Sequence, residues 1–165
     1  MRLAIYEPDI PPNTGTLIRL CACLDVPLDI IEPCGFPWSD KDLKRAAMDY
    51  GVLGEVIRHT SWDAFWDAFQ TARPAGARLI LMTTKTQTSF VDFEFSQDDI
   101  LLVGRETSGV PPEIHDLADA CVTIPMRPPA RSLNMAVAAS MVLSEALRQT
   151  GGFPTEDRKG KEEPA

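Results

Sequence analysis

Short apolar runs alternate along the chain with segments of helical periodicity. The runs lie at residues 3–6, 28–31, 79–82, 100–103 and 121–124, and the less apolar residues 55–58 are a further candidate strand. Most of them lack the alternation of apolar and polar residues found in half-exposed strands, and continuous runs are typical of a parallel sheet that is buried on both faces. The pattern therefore predicts an α/β domain with a mostly parallel sheet flanked by helices.

Capping and helix-breaking residues mark the ends of the predicted helices. Asn13 is predicted to cap the first helix, Ser61 a helix rich in aromatic residues, and Ser132 the last helix, which Gly151 and Gly152 end. The predicted helices cover residues 13–25, a short stretch from Ser39, the stretch between Ser61 and Pro74, residues 112–117 and residues 132–149. Residues 86–99 are expected to form a loop with at most a short strand.

The aromatic helix carries Trp62, Phe65, Trp66 and Phe69. These side chains could pack into the core or form a platform on which nucleic-acid bases stack. Their spacing of three and four residues is that of an amphipathic helix, which favours the core-facing interpretation.

The length of 165 residues fits one domain with a sizeable core. We expect the domain to span residues 1–152, followed by a mobile, charged tail at residues 153–165. No stretch approaches the roughly 20 consecutive apolar residues of a membrane helix. The N-terminus shows no basic leader with an apolar signal region, so a soluble cytoplasmic protein is the default expectation.

The net charge of −8 argues against nucleic-acid binding through overall charge. Positive charge is instead concentrated near particular turns, at Arg19, Lys85, Arg105, Arg127 and Arg131. A few local phosphate contacts could therefore still support RNA binding.

The sequence contains no complete motif for binding a metal, a dinucleotide or a nucleoside triphosphate. The pair Cys21 and Cys23 has no second pair to complete a zinc site, so buried free thiols and no metal are expected. The chain also lacks the G-x-G-x-x-G fingerprint and the P-loop pattern.

Two segments near the C-terminus each place an apolar strand before a turn. Residues 102–111 contain Gly104 and Gly109, and residues 124–136 contain Pro125 and then Ser132. Ligands bind in α/β domains where strands end at loops, so the segments predict one pocket built largely from backbone. Gly104 would let a ligand approach the backbone closely, although both glycines could simply serve turns.

These two segments resemble the paired C-terminal motifs of the SPOUT superfamily of RNA methyltransferases. Residues 6–22, "YEPDIPPNTGTLIRLCA", resemble its first motif. Residues 31–36, Asp49-Tyr50 and Thr83-Thr84-Lys85 are similar to the subgroup that methylates the 2′-hydroxyl of the tRNA wobble nucleotide. The resemblance covers about residues 1–150.

The resemblance implies a C-terminal trefoil knot that holds S-adenosylmethionine, with S-adenosylhomocysteine as product and no metal. It implies a tRNA substrate methylated on a wobble pyrimidine, no DNA or membrane partner, and a homodimer formed through the C-terminal helix. Two alternatives stay open. One is 2′-O-methylation of ribosomal RNA or another tRNA site, and the other is a knotted RNA-binding protein without catalysis.

The resemblance also assigns roles to residues. Those expected to bind the cofactor are Met82, Gly104, Gly109, Ile124, Met126, Ser132 and Leu133. Those expected to take part in catalysis are Asn13, Arg19, Glu106 and Asn134, and those expected to bind RNA are Lys85, Arg105, Arg127 and Arg131. Because a guanidinium is effectively always charged, Arg19 is expected to clamp a phosphate and lower the pKa of the ribose hydroxyl.

Further expectations concern neighbouring side chains. Glu106 is expected mainly to organise a loop through backbone N–H groups. Asn134 is expected to orient the ribose or the knot loop, whereas His115 and Asp116 are expected to face solvent. The chain departs from the subgroup at Arg105, where proline is usual, and at Ser108, where a basic residue is usual, which leaves the substrate less secure than the fold.

Overall fold

The computed structural model describes residues 1–38, 55–72 and 76–155. Within these ranges six parallel strands form one sheet in the order β3-β2-β1-β5-β4-β6. The strands are β1 Arg2–Tyr6, β2 Leu28–Ile31, β3 Val56–His59, β4 Leu79–Met82, β5 Ile100–Val103 and β6 Ala120–Val122. The helices are α1 Pro11–Leu24, α2 Trp62–Ala72, α3 Pro112–Leu117 and α4 Met135–Thr150. The prediction of a parallel sheet flanked by helices is confirmed.

The two faces of the sheet bury alternate residues of the central strands. Leu3 and Leu101 belong to one core, which α1 and α4 cover, and α1 packs beside α4. Ala4 and Leu102 belong to the opposite core, to which α2 and α3 contribute Phe65, Phe69 and Ile114. Every residue of β5 is buried, which explains its wholly apolar sequence.

The strand predictions at residues 28–31, 79–82 and 100–103 agree with the structure residue for residue. Strand β3 is shifted by one residue, and β6 begins one residue earlier and ends two residues earlier than predicted. Residues 86–99 form the expected loop, with one isolated bridge from Ser89 to Thr123. Phe65 and Phe69 of α2 are buried, so the core-facing interpretation of the aromatic helix is confirmed.

Two predicted helix caps are wrong. Helix α1 begins at Pro11, whose fixed φ suits a first helical position, and its N-cap is Ile10. Asn13 therefore lies inside the first turn with its side chain buried. Helix α4 begins at Met135 and is capped by Asn134, not Ser132. The cap at Ser61 is confirmed, because its hydroxyl accepts a hydrogen bond from the Ala64 N–H at 3.1 Å.

The loop between β4 and β5 is fastened to the domain at two places. Gln149 of α4 accepts a hydrogen bond from the Phe95 N–H and donates one to the Phe93 carbonyl. Arg78 forms a bidentate pair with Asp99, which is fully buried. These contacts hold the connection between two strands whose ends form the site described below.

Some expectations fall where the structure gives no description. The short helix from Ser39 and residues 156–165 of the expected tail lie outside the described ranges, and the domain limit at residue 152 stays a prediction. In the described ranges, no helix combines the length and the apolar character needed to span a membrane.

Candidate functional site

A cavity of about 580 Å³ opens where β4, β5 and β6 end. Its walls come mainly from residues 81–85, 103–110, 122–126 and 132–135. The two C-terminal motif segments therefore meet in one pocket, as the sequence predicted. All seven residues expected to bind the cofactor line this cavity, namely Met82, Gly104, Gly109, Ile124, Met126, Ser132 and Leu133. Their proximity is observed, and their contact with a cofactor stays a prediction.

Gly104 is required by the way the loop folds back on itself. Arg105 and Gly109 exchange two backbone hydrogen bonds of 3.0 and 2.9 Å. A Cβ atom at Gly104 would lie 2.5 Å from the carbonyl carbon of Gly109. Glycine is thus needed at position 104 because the backbone of Gly109 approaches it closely. The sequence had suggested instead that a ligand approaches Gly104. Gly109 has φ +71°, a second reason for glycine in this turn.

A chain of hydrogen bonds joins the N-terminal motif to both C-terminal motifs. The Glu106 carboxylate accepts hydrogen bonds from the Asp9 N–H at 2.8 Å and from the Asn13 amide at 3.1 Å. Asn134 donates to the Asn13 Oδ1 atom at 2.9 Å, and its own Oδ1 accepts from the N–H groups of Ala136 and Val137. One of the two bonds to Glu106 comes from a backbone N–H, in line with the expected loop-organising role, and its part in catalysis stays a prediction.

Arg105 faces two carboxylates of the N-terminal motif. Its guanidinium donates to the Glu7 Oε2 atom at 2.8 Å and also pairs with Asp9. The other Asp9 oxygen accepts from the Thr107 hydroxyl at 2.6 Å. Hydrogen bonds from Arg105 and then from Thr107 lower the pKa of Asp9 from 3.8 to about 2. These contacts do not test the predicted binding of RNA by Arg105. They show that its guanidinium is already paired with Glu7 and Asp9.

We expect Asp9 to titrate well below an ordinary aspartate. Because its pKa is lower in the folded protein than in the unfolded chain, its pairing with Arg105 contributes full stability above about pH 4 and loses it as the pH falls towards 2. Carbon-13 NMR titration of the Asp9 carboxyl measures this directly, and Asp9→Asn should remove the corresponding slope from denaturation free energies between pH 5 and 2.5. A titration midpoint near 3.8 would contradict the pairing.

The basic residues divide into two groups. Lys85 lines the cavity and is exposed, and Arg127 and Arg131 are exposed on the loop that follows β6. Arg19 is half-buried on α1 and is not among the residues that line the cavity of the single chain. The structure thus brings Asn13, Glu106 and Asn134 together, whereas Arg19 does not line the cavity.

The expectation that His115 faces solvent is wrong. Its imidazole lines the cavity, and its Nε2 atom lies 3.8 Å from the Cys121 sulfur. Helix α3 begins immediately after the turn that follows Gly109, so its first residues are held near the strand ends. That short spacing was the available sequence signal. Asp116 is exposed, as expected.

The cysteines and acidic residues show no metal-binding arrangement in the part of the chain that the structure describes, where no three His, Cys, Asp or Glu side chains are grouped around one point. Cys21 is a buried free thiol, and burial raises its pKa to about 12. A thiol in this state is a poor nucleophile and a poor ligand. Cys23 is exposed, so the expectation of buried thiols is confirmed for Cys21 and wrong for Cys23.

The cavity has the size of a small-molecule site, and the residues that line it come mainly from strand ends and turns and include few charged ones. Backbone N–H and C=O groups at strand ends can pair with the edge of a base, which carries both donors and acceptors. The arrangement therefore suits a nucleoside-containing ligand held by backbone, with polar side chains at one side. It carries no grouping suited to hydrolysis by an activated nucleophile.

Comparisons with known proteins identify the family of the chain. The model of the SpoU rRNA Methylase family matches residues 1–144. A protein of Beijerinckia indica named tRNA (cytidine(34)-2′-O)-methyltransferase is 57% identical over 151 residues, which cover 92% of each chain. A protein of the same name from Escherichia coli K12 is 42% identical and is matched over 92% of this chain and 94% of its own.

Solved structures show the same fold. A structure that addresses 2′-hydroxyl methylation of C/U34 on tRNA aligns with a TM-score of 0.82 and 38% identity, covering 90% of this chain and 94% of the other. The SpoU methyltransferase AviRb of Streptomyces viridochromogenes, in complex with AdoMet, aligns with a TM-score of 0.81 and 30% identity over 90% of this chain and 60% of its own. The chain belongs to the SpoU rRNA methylase family.

Proposed function

We propose that this protein uses S-adenosylmethionine to methylate the ribose 2′-hydroxyl of a pyrimidine at the wobble position of a tRNA anticodon. The observation that carries the proposal is the cavity walled by the ends of β4, β5 and β6, beside the linked side chains of Asn13, Glu106 and Asn134. Relatives that carry this activity in their names match nearly the whole chain. Since tRNA is a cytoplasmic molecule, we place the reaction in the cytoplasm.

The cavity fits the proposed cofactor in size and in chemistry. Main-chain groups at Met82, Gly104 and Ile124 would hold the adenine, and residues 132–133 would complete the wall before α4. When bound, S-adenosylmethionine supplies an electrophilic methyl group on a sulfonium and leaves as S-adenosylhomocysteine. The work of the protein is therefore to orient the acceptor hydroxyl and exclude water, with no metal required.

The ribose would be oriented by Asn134. One amide hydrogen of Asn134 is donated to Asn13, and its oxygen caps α4, so the second amide hydrogen remains to be donated to a ribose oxygen. Glu106 and Asn13 act by holding that side chain in place. The acceptor is a 2′-hydroxyl, which DNA lacks, so the substrate is RNA.

The electrostatic part of the reaction would come from Arg19. A guanidinium beside the reacting nucleotide can clamp a phosphate bidentately and lower the pKa of the adjacent hydroxyl. Lys85, Arg127 and Arg131, which are exposed near the cavity mouth, would contact other phosphates and provide local positive charge on a chain of net charge −8.

Arg19 would reach the substrate across a homodimer. Val137 and Met141, one turn apart on α4, are 49% and 40% exposed, and Ile10 and Leu133 at the cavity rim are each 41% exposed. An apolar surface of this kind favours association, and it borders the cavity. We propose that two copies pair through α4 and that Arg19 of one protomer serves the cavity of the other.

The C-terminal segment would form the trefoil knot of the superfamily. After β6, at the sheet edge beyond β4, the chain returns to α4, which packs on the face opposite α3. That return passes the loops that follow β4 and β5, since all of them line one cavity. Threading of the segment between those loops would bind the walls of the cavity together.

The decisive experiment combines cofactor binding with product analysis. Titration calorimetry should show binding of S-adenosylmethionine and S-adenosylhomocysteine. Unmodified tRNA incubated with the protein and methyl-labelled cofactor should then yield a 2′-O-methylated pyrimidine at the wobble position after digestion. An unmodified wobble nucleotide would reject the substrate assignment, and label in ribosomal RNA or at another tRNA site would support the alternative substrates. RNA binding without any cofactor binding would indicate a protein that has lost catalysis.

A further inference from the structure

We propose that Arg105 is a positioning residue, which holds the loop of residues 104–109 against the turn of residues 7–9 so that the cofactor cavity keeps its shape. The inference deepens the proposed function and rests on it, because the loop in question forms one wall of that cavity. In this proposal the Arg105 guanidinium pairs with carboxylates of the protein itself and not with RNA phosphates.

The guanidinium bridges two carboxylates at once. It donates to the Glu7 Oε2 atom at 2.8 Å through one terminal nitrogen, and to the Asp9 Oδ1 atom through Nε and the other terminal nitrogen. The side chain of Arg105 is 31% exposed, and those of Glu7 and Asp9 are 18% and 13% exposed. Partial burial and a forked geometry distinguish this contact from an isolated surface ion pair, which contributes little.

The same contact immobilises the loop at several points. Asp9 uses its second oxygen to accept from the Thr107 hydroxyl, and the Asp9 N–H donates to Glu106. The backbone of Arg105 pairs with Gly109. The middle and both ends of the loop are therefore tied to one another or to residues 7–9, and every residue from 103 to 110 lines the cavity.

Charge explains why the arrangement depends on Arg105. Glu7, Asp9 and Glu106 bring three carboxylates to this corner of the site, and Arg105 is the cation that contacts two of them. Glu7 also has φ +41°, a left-handed backbone conformation that is unfavourable for a residue with a side chain. Without the guanidinium, repulsion and strain would favour a displaced turn and an altered loop.

The test compares Arg105→Gln with Arg105→Lys and with Arg148→Gln. Arg148 pairs with Glu145 on the exposed face of α4, so Arg148→Gln controls for the loss of one positive charge. In the unliganded protein, Arg105→Gln should accelerate hydrogen exchange at the Thr107 and Gly109 amides. It should raise the dissociation constant for S-adenosylhomocysteine about tenfold, as expected for the loss of charged hydrogen bonds. Arg105→Lys should restore part of the affinity, and Arg148→Gln should change neither quantity.

The salt dependence of tRNA binding separates positioning from RNA contact. Loss of one phosphate contact makes the negative slope of the logarithm of the tRNA binding constant against the logarithm of salt concentration shallower by about 0.7 to 0.9. We expect no such change in Arg105→Gln. A lowered slope with unchanged cofactor affinity and unchanged exchange would overturn the proposal. The double variant with Asp9→Asn should be little worse than either single variant, and additive losses would also overturn it. Failure of the wild-type protein to bind cofactor would reject the proposed function but not the positioning role of Arg105. The hydrogen-exchange measurement on the unliganded protein would still test that role.

Discussion

Replacement of Arg19 by alanine is expected to lower kcat by about two orders of magnitude or more, a typical loss when one transition-state contact is removed. Binding of S-adenosylmethionine should persist, because the proposed partner of Arg19 is a phosphate of the RNA and not the cofactor. Single-turnover methylation of tRNA measures the first quantity and calorimetry the second. Arg19→Lys keeps the positive charge but loses the planar guanidinium that can bind a phosphate through two hydrogen bonds, so it should recover only part of the rate. Full activity of Arg19→Ala would refute the assigned role.

Mixed dimers test whether Arg19 acts on the neighbouring cavity. At a cofactor concentration far below the dissociation constant of Gly104→Ala, that variant and Arg19→Ala should each be nearly inactive as homodimers. In a heterodimer of the two, one cavity retains intact walls and faces an intact Arg19 from the other protomer, so activity should reappear. A confirmed heterodimer without activity would show that Arg19 serves its own protomer.

Gly104→Ala is expected to weaken cofactor binding about 100-fold, which is about 2.7 kcal/mol and lies within the usual cost of overpacking. The added Cβ would lie 2.5, 2.7 and 2.9 Å from the carbonyl carbon, Cα and carbonyl oxygen of Gly109. These are backbone atoms, so relief requires a shift of the loop that forms the cavity wall. Calorimetry with S-adenosylhomocysteine measures the loss, and circular dichroism confirms that the sheet remains folded.

Gly109→Asn is the matched control within the same loop. A Cβ atom at Gly109 meets nothing within 4 Å, and asparagine tolerates the left-handed conformation that φ +71° requires. The cost should be a small backbone strain, with a loss of affinity below tenfold, which is about 1.4 kcal/mol. Equal losses in both variants would show that the cavity does not depend on the close contact between Gly104 and Gly109.

The strands were the most predictable part of the fold. Residues 79–82 and 100–103 are apolar throughout, and residues 28–31 are apolar except for Asp29, because both faces of the sheet are covered. This requirement can be recognised from short segments of the sequence. Helix starts were less predictable where two capping residues compete. Ser132 and Asn134 both have the chemistry of an N-cap, and only the packed position of α4 selects Asn134.

The partners of the site residues could not be predicted from local sequence. Asn13 looks like a helix cap in the sequence, but its amide bonds to Glu106 and Asn134, which lie 93 and 121 positions away. Arg105 follows a strand in a predicted RNA-binding loop, yet its partners Glu7 and Asp9 lie 98 and 96 positions away. Hydrogen bonds between such distant positions depend on the strand order, which brings the end of β1 beside the end of β5.

The sequence by itself determined the layers of the domain and the meeting of two strand-end loops in one pocket, because apolar periodicity and strand-end motifs are properties of short segments. The tertiary structure alone decided which charged and amide groups face one another, why Gly104 must be glycine, and that His115 lines the cavity. These features arise from contacts between segments that meet only after the parallel sheet has formed. They therefore cannot be recognised in any short segment of the sequence.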